Sequence, residues 1–293
     1  MPVPAERPEV LRNRVFRGSW AVRKGLLTHD QLRSRAWRRL RRDVYADARL
    51  PLDHRLLVHG VSLIAPTGAV FAGLSALVLA GGHEFATADD VVEVALPAGH
   101  RWRPGNGVRV SVSSSDDDVV VDRHRLSRTG PVRTAVDLIR RYGVEDGVVL
   151  LDRLVQAGLA DLAAVRAAVL ELPRCRGSRV ARDVAGLADG LAESPQETRL
   201  RLLLHRAGLP APVAQFRIFD ADGFIARADF AYPELRLAIE YDGLWHAEPG
   251  QFAKDRDRLN RLSAAGWRVI FVTAADLRHP ERLIARLVSE LAR

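Results

Sequence analysis

One short stretch constrains this chain more than any other: Leu237-Ala238-Ile239-Glu240-Tyr241-Asp242. Its side chains alternate with a period of two, so it reads as a strand buried on one face. Leu237, Ile239 and Tyr241 point into a core, while Ala238, Glu240 and Asp242 share the other face. A preceding strand, Phe224 to Tyr232, joins it through a turn around Tyr232-Pro233-Glu234. If the chain reverses over Tyr232 to Leu235, Asp229 lies opposite Ala238 and is the diagonal neighbour of Glu240, roughly 7–8 Å away along the backbone. Acids gathered on one strand face repel one another unless something compensates their charge. A divalent metal is the simplest compensation, and an all-oxygen donor set favours Mg²⁺ or Mn²⁺ over zinc or copper. Asp229 and Glu240 are the expected ligands. Asp242 is expected as a third ligand or as a base that positions water.

The flanking elements read in the order helix, three meandering strands, helix, strand, helix. Ser194 caps the first helix, Pro195 opens it and Glu197 follows three residues after the cap. The words "RADFAY", "AIEYDGLWHA" and "DRDRLNRLSAAGWRVIFVT" carry a resemblance. In order and spacing they resemble the PD-(D/E)xK nuclease superfamily, in the branch similar to very-short-patch mismatch-repair endonucleases. The resemblance covers about residues 194–293. It implies a restriction-endonuclease-like fold and metal-dependent hydrolysis of DNA, in mismatch or damage repair or in defence against foreign DNA. One departure is plain: Asp242 stands where the superfamily signature has lysine. Glu197 resembles the acid on the family's first helix, and the same residue completes a capping box. His246 is either a general acid/base and phosphate binder or a packing residue beside Trp245. Lys254, Arg256 and Arg258 either touch the DNA backbone or pair with Asp255 and Asp257 on their own helix.

Charge points to the same partner from the other end of the chain. The net charge is +8, and only Lys24 and Lys254 of the 44 basic residues are lysine. Residues 1–50 hold 13 basic and 5 acidic side chains, so this segment carries the whole excess. Such a basic surface is the footprint expected of nucleic-acid binding, here double-stranded DNA. Thr28 and Gln31 form a capping-box pair, and "RSRAWRRLRRDVYAD" reads as a basic helix followed by a strand. Helix, short turn, basic helix and hairpin is the order of a winged helix-turn-helix, with Arg35, Arg38, Arg39, Arg41 and Arg42 as DNA contacts. The stretch "GLLTHDQLRSRAWRRLRRDVYAD" resembles the N-terminal domain of the type IV abortive-infection (AbiEi-type) antitoxins. The likeness continues more loosely through "GAVFAGLSALVLAGG" and "GPVRTAVDLIRRYGVEDGVVLLDRLVQAGL".

The expected architecture is therefore a multi-domain α/β (α+β) chain. It comprises a winged helix over 1–50, a mixed antitoxin-like middle domain over 51–190 and a nuclease domain over 191–293. His83, His100 and His124 in the middle region lack metal-ligand spacing. The lone Cys175 excludes an internal disulfide framework and a cysteine-based zinc site. No apolar run is long enough to span a bilayer and the first ten residues lack a secretory signal, so a cytoplasmic protein is expected. An endonuclease is the first expectation. A DNA-binding antitoxin or regulator whose nuclease-like domain is inactive is the alternative, with a repair or toxin partner open in either case.

Overall fold

The computed structural model describes residues 7–112, 118–122, 124–242 and 251–293. The architecture is mixed α/β. The chain divides into two compact units, Met1–Leu138 and Ile139–Arg293.

The first unit begins with β1 (Val15–Arg17), α1 (Gly18–Arg23), β2 (Trp37–Arg41) and β3 (Val44–Asp47). The three strands form a sheet in the order β1-β3-β2. The expected basic helix is not there: Arg38, Arg39 and Arg41 lie on strand β2, Arg35 precedes it and Arg42 sits in the hairpin turn. Thr28 and Gln31 do exchange both capping bonds, but the helix stops after a single 3-10 turn, Gln31–Arg33. The misleading signal is the spacing of Trp37 and Leu40. Three residues apart, they suggest one helix face. In the strand, which carries a bulge between Arg39 and Arg41, the two side chains instead meet different partners. Trp37 packs edge-on against Phe16 at 5.1 Å, and Leu40 lies against Gly60. Asp43, at φ 60°, closes the hairpin and accepts hydrogen bonds from the Ser19 N–H and hydroxyl.

The unit continues with α2 (His54–Ser62), β4 (Val70–Phe71), α3 (Gly73–Leu79), β5 (Val92–Leu96), β6 (Val108–Val112), β7 (Val119–Val121), β8 (Ser127–Thr129) and α4 (Pro131–Ile139). The five strands form a second sheet in the order β6-β5-β4-β8-β7. Helices α2 and α3 pack on strand β5, whose five residues are all buried.

In the second unit, α5 (Val144–Gln156), α6 (Leu162–Leu170) and α7 (Ser178–Leu187) precede α8 (Pro195–Arg206). A hairpin of β9 (Val213–Asp220) and β10 (Gly223–Tyr232) follows, then β11 (Leu237–Tyr241), α9 (Gln251–Ala264), β12 (Arg268–Val272), α10 (Ala274–Arg278) and α11 (Glu281–Leu291). The sheet order is β12-β11-β10-β9, with β11 and β12 parallel and the other pairs antiparallel. One sheet face is covered by α8 and α11 through Leu200, Leu204, Leu283 and Leu287. The other is covered by α9 through Leu262, over Ala238 and Ile218. Both faces are therefore closed along the middle of the sheet. The start of α8 is pinned by Asp152 of α5, which is fully buried. Its carboxylate accepts from the Asp189 and Gly190 N–H groups, the Thr198 hydroxyl and Arg201. Among the described residues no helix is long and apolar enough to cross a membrane.

Candidate active site

The hairpin between β10 and β11 is longer than its sequence suggests. Pro233–Leu235 form a 3-10 turn and Arg236 takes a left-handed conformation at φ 47°. Ala231, and not Asp229, therefore faces Ala238, and Phe230 faces Ile239. Carried one residue further, this register sets Asp229 beside Glu240 itself. The shift from the expected pairing is two residues, and because strand side chains alternate, it leaves Glu240 on the same face.

The ladder between the two strands runs from Tyr232/Leu237 to Phe230/Ile239. Beyond it, a side chain continues the pairing: Asp229 Oδ2 accepts the Tyr241 N–H at 2.7 Å. On the other flank, Gln215 of β9 lies level with Asp229 and has φ 52°, rare for a residue with a side chain. Its amide Nε2 donates to Glu197 Oε2 at 2.9 Å. Glu197, buried at the start of α8, also accepts the Glu193 N–H at 2.9 Å, while Ser194 Oγ caps the Glu197 N–H. The capping box is thus only half formed. The Glu197 carboxylate reaches past the cap residue and toward the sheet.

The electrostatics tie these groups together. Burial lifts the Asp229 carboxyl to about 6; the Tyr241 N–H opposes the rise, and the charges of Glu197, Glu240 and Glu193 add to it. Three neighbouring acids thus act on one half-buried carboxylate. Glu193 is held by Arg227 at 2.6 Å. Glu240, 9% exposed, is gripped at both oxygens by Arg258 of α9, at 3.1 and 3.0 Å. This planar two-bond grip is the strongest form of arginine–carboxylate pairing. Arg258 thus pairs with an acid of the sheet, and not with Asp255 or Asp257 of its own helix.

The structure brings Asp229, Glu240 and Glu197 to one place. Asp242 stands at the exposed end of β11, its N–H donating to Val272 O at 2.7 Å. His246 lies outside the described residues, and so does the side chain of Lys254, whose position is on α9. Sequence reading missed Glu193, Gln215 and Arg227. A left-handed glutamine inside a strand has no composition signal, and the other two matter only through contacts distant along the chain. The donor chemistry suits a hard divalent cation, since the carboxylates and the Gln215 amide offer oxygen only. Among the described residues, however, no group of three or more His, Cys, Asp or Glu side chains stands ready to hold a metal. Arg258 occupies the Glu240 oxygens that a cation would need.

In the first unit the expected DNA contacts divide. Arg38 donates to the carbonyls of Leu50 and Ala48, and Arg41 to those of Pro104 and Asn106. Arg35, Arg39 and Arg42 are exposed on or beside β2.

Comparison with known proteins places the chain. "Uncharacterized protein Rv2248" of Mycobacterium tuberculosis (strain ATCC 25618 / H37Rv) is 34% identical over 214 residues, which cover 71% of this chain and 77% of that protein. This chain belongs to its family. "Uncharacterized protein MT2308" of strain CDC 1551 / Oshkosh matches with the same identity and coverage. No family model matches the sequence. The crystal structure of the RV2827C protein from Mycobacterium tuberculosis aligns with 71% of this chain and 84% of its own, at 15% identity and a TM-score of 0.41.

Proposed function

We propose that this chain is a metal-dependent endonuclease that hydrolyses phosphodiester bonds in double-stranded DNA. The observation that carries the reading is Asp229: a half-buried carboxylate at the end of a strand ladder, lifted to about 6 by burial and by three neighbouring acids. Clustered acids of this kind at a sheet opening are costly for folding and suited to holding a cation. A bound Mg²⁺ or Mn²⁺ would supply charge neutralisation at the phosphoryl oxygens and a more acidic water. Asp229 and Glu240 would hold it, with Glu197 oriented from α8 by Gln215 and the Glu193 amide. Asp242 takes the proton of the attacking water from the exposed end of β11. Arg258, which holds Glu240 here, carries a fork that would equally suit a phosphate once a cation took up Glu240. His246 and Lys254 are proposed contacts to the DNA backbone. The first unit is proposed as a winged-helix module whose recognition helix has shrunk to one turn. Its exposed Arg35, Arg39 and Arg42 meet phosphates from the β2–β3 wing.

Plasmid nicking in Mg²⁺ or Mn²⁺ tests the reading. Wild type is expected to nick, and Asp229→Asn or Glu240→Gln to lose at least a hundred-fold of that activity. Nicking that survives both changes rejects it. The grip of Arg258 on Glu240 favours a second reading, a DNA-binding antitoxin or regulator with an inactive nuclease-like unit, because the pair is neutral without a metal. That reading requires salt-sensitive duplex binding, no Mn²⁺ uptake and no cleavage.

A further inference from the structure

The basic surplus of residues 1–50 has a counterpart later in the same unit. Two stretches hold no acid at all: residues 31–42, with six arginines, and residues 94–112, with His100, Arg101, Arg103 and Arg109. Folding joins them. Arg41, at the end of β2, reaches the loop that precedes β6, where its Nη2 donates to Pro104 O at 3.2 Å and to Asn106 O. These partners lie 63 and 65 residues away along the chain. The loop is held at a second point, where Trp102 packs against the core of Phe71, Val92 and Val94. On either side of Trp102, Arg101 and Arg103 are exposed. The seam at Arg41 therefore has Arg39 and Arg42 on one side and Arg101 and Arg103 on the other, all four exposed.

Among the described residues, no carboxylate stands at ion-pair distance from any of these four. Asp43, the acid beside Arg42, is taken by Arg17 at 3.0 Å and by the Ser19 hydroxyl, and Glu93 faces Arg109. Arg41 is partly buried, and burial holds its guanidinium below the ordinary range. Like charges gathered in this way repel one another and raise a local field that concentrates a polyanion. Neither segment exposes a large apolar side chain, which a membrane or a protein partner would need at the centre of its contact.

We propose that the β2–β3 wing and the loop 99–107 form one surface that holds the phosphates of double-stranded DNA, with Arg41 positioning the loop against the wing. Arginine forks meet phosphate oxygens two at a time. Fixed by Trp102 and Arg41, the loop offers its arginines on an ordered support, so little order is lost on binding. The proposal rests on duplex DNA as the partner of this chain, and not on its cleavage.

The test measures binding of a labelled short duplex to the full-length protein in EDTA, by fluorescence anisotropy over a range of salt. Wild type is expected to bind with a steep salt slope. Arg101→Gln and Arg103→Gln together are expected to lower that slope by about two, the loss of two phosphate contacts. Arg41→Gln is expected to lower it by more than about one, because it frees the loop as well as removing a charge. Arg179→Gln, an equal charge change on α7, is expected to leave it in place. Thermal melts check that each variant folds. In wild type the duplex is expected to shield Arg101 and Arg103 from phenylglyoxal, an answer that needs no variant. The proposal is overturned by an unchanged slope in the double variant, by wild type that neither binds the duplex nor is shielded by it, or by polyglutamate that shields the two arginines as well as the duplex does. Plasmid nicking in Mg²⁺ keeps the two readings apart. Binding through Arg101 and Arg103 without nicking rejects the nuclease reading alone, and nicking with an unmoved slope rejects this surface alone.

Discussion

Two aspartates of the second unit have opposite surroundings. Asp152 is fully buried, yet four donors converge on it: two main-chain amides, one hydroxyl and one guanidinium. Asp229 is only half buried, has one amide, and is raised to about 6 in the company of Glu197, Glu240 and Glu193. Burial alone therefore does not separate an acid that is satisfied within the fold from one that is not. The number of donors does. A carboxylate with every lone pair met is a structural tie, and one ringed by other carboxylates is eased by any positive charge, a proton or a cation.

The sharpest way to break this contrast is to remove each acid in turn. Asp152→Ala leaves Arg201 and two amides facing a buried gap, and is expected to cost about 3–5 kcal/mol in urea unfolding. Asp229→Asn is expected to do the reverse at pH 8 without metal. The folded carboxyl is raised above its ordinary value, so its contribution is favourable at low pH and is lost as pH rises through about 6. The Asn variant keeps an acceptor for Tyr241 and should gain about 1–2 kcal/mol at pH 8, after allowance for solvent screening, with the gain shrinking toward pH 4. A variant that is destabilised at pH 8 would place Asp229 beside Asp152 as a structural acid. Protons and metal compete for the same oxygens, so Mn²⁺ uptake by the wild type should weaken below pH 6.

Arg258→Gln probes the middle case. Without metal it strips Glu240 of its partner and should lower the melting temperature by several degrees, a loss of about 1–2 kcal/mol. Added Mn²⁺ should then raise the melting temperature of this variant more than that of wild type; equal shifts would mean that guanidinium and metal do not share Glu240. The smallest effects lie in the first unit. Arg39→Gln and Arg42→Gln should each lower the salt slope of duplex binding by about one without moving the melt. Arg38→Gln, which loses two main-chain carbonyls, should move the melt by about 1 kcal/mol and leave the slope in place.

What the sequence made legible follows from the range of each signal. Alternation over Leu237 to Asp242 is local, and it placed Leu237, Ile239 and Tyr241 toward one core and Glu240 on the opposite face, under α9. The element order from α8 to α11 was readable for the same reason, apart from the short α10 between β12 and α11. The hairpin register was not, because it depends on Arg236 accepting a left-handed backbone, which no residue type announces. The basic stretch around Trp37 was misread because Trp37 and Leu40, three residues apart, make two separate contacts from one strand, against Phe16 and against Gly60, which local spacing does not distinguish from a helix face. Arg258 on Glu240 and Gln215 on Glu197 join residues 18 apart in sequence, beyond any local pattern.

The turn Pro233–Arg236 also says how this hairpin can change over evolutionary time. Sliding β11 along β10 by two residues alters every pair yet leaves Glu240 beneath α9. Sliding it by one exchanges Glu240 with its neighbours, driving the carboxylate among Leu200, Phe230 and Ile270 and turning Ile239 out of that core. Insertions and deletions that shift this register should therefore survive among relatives in even steps, and an odd one should appear only with a compensating bulge.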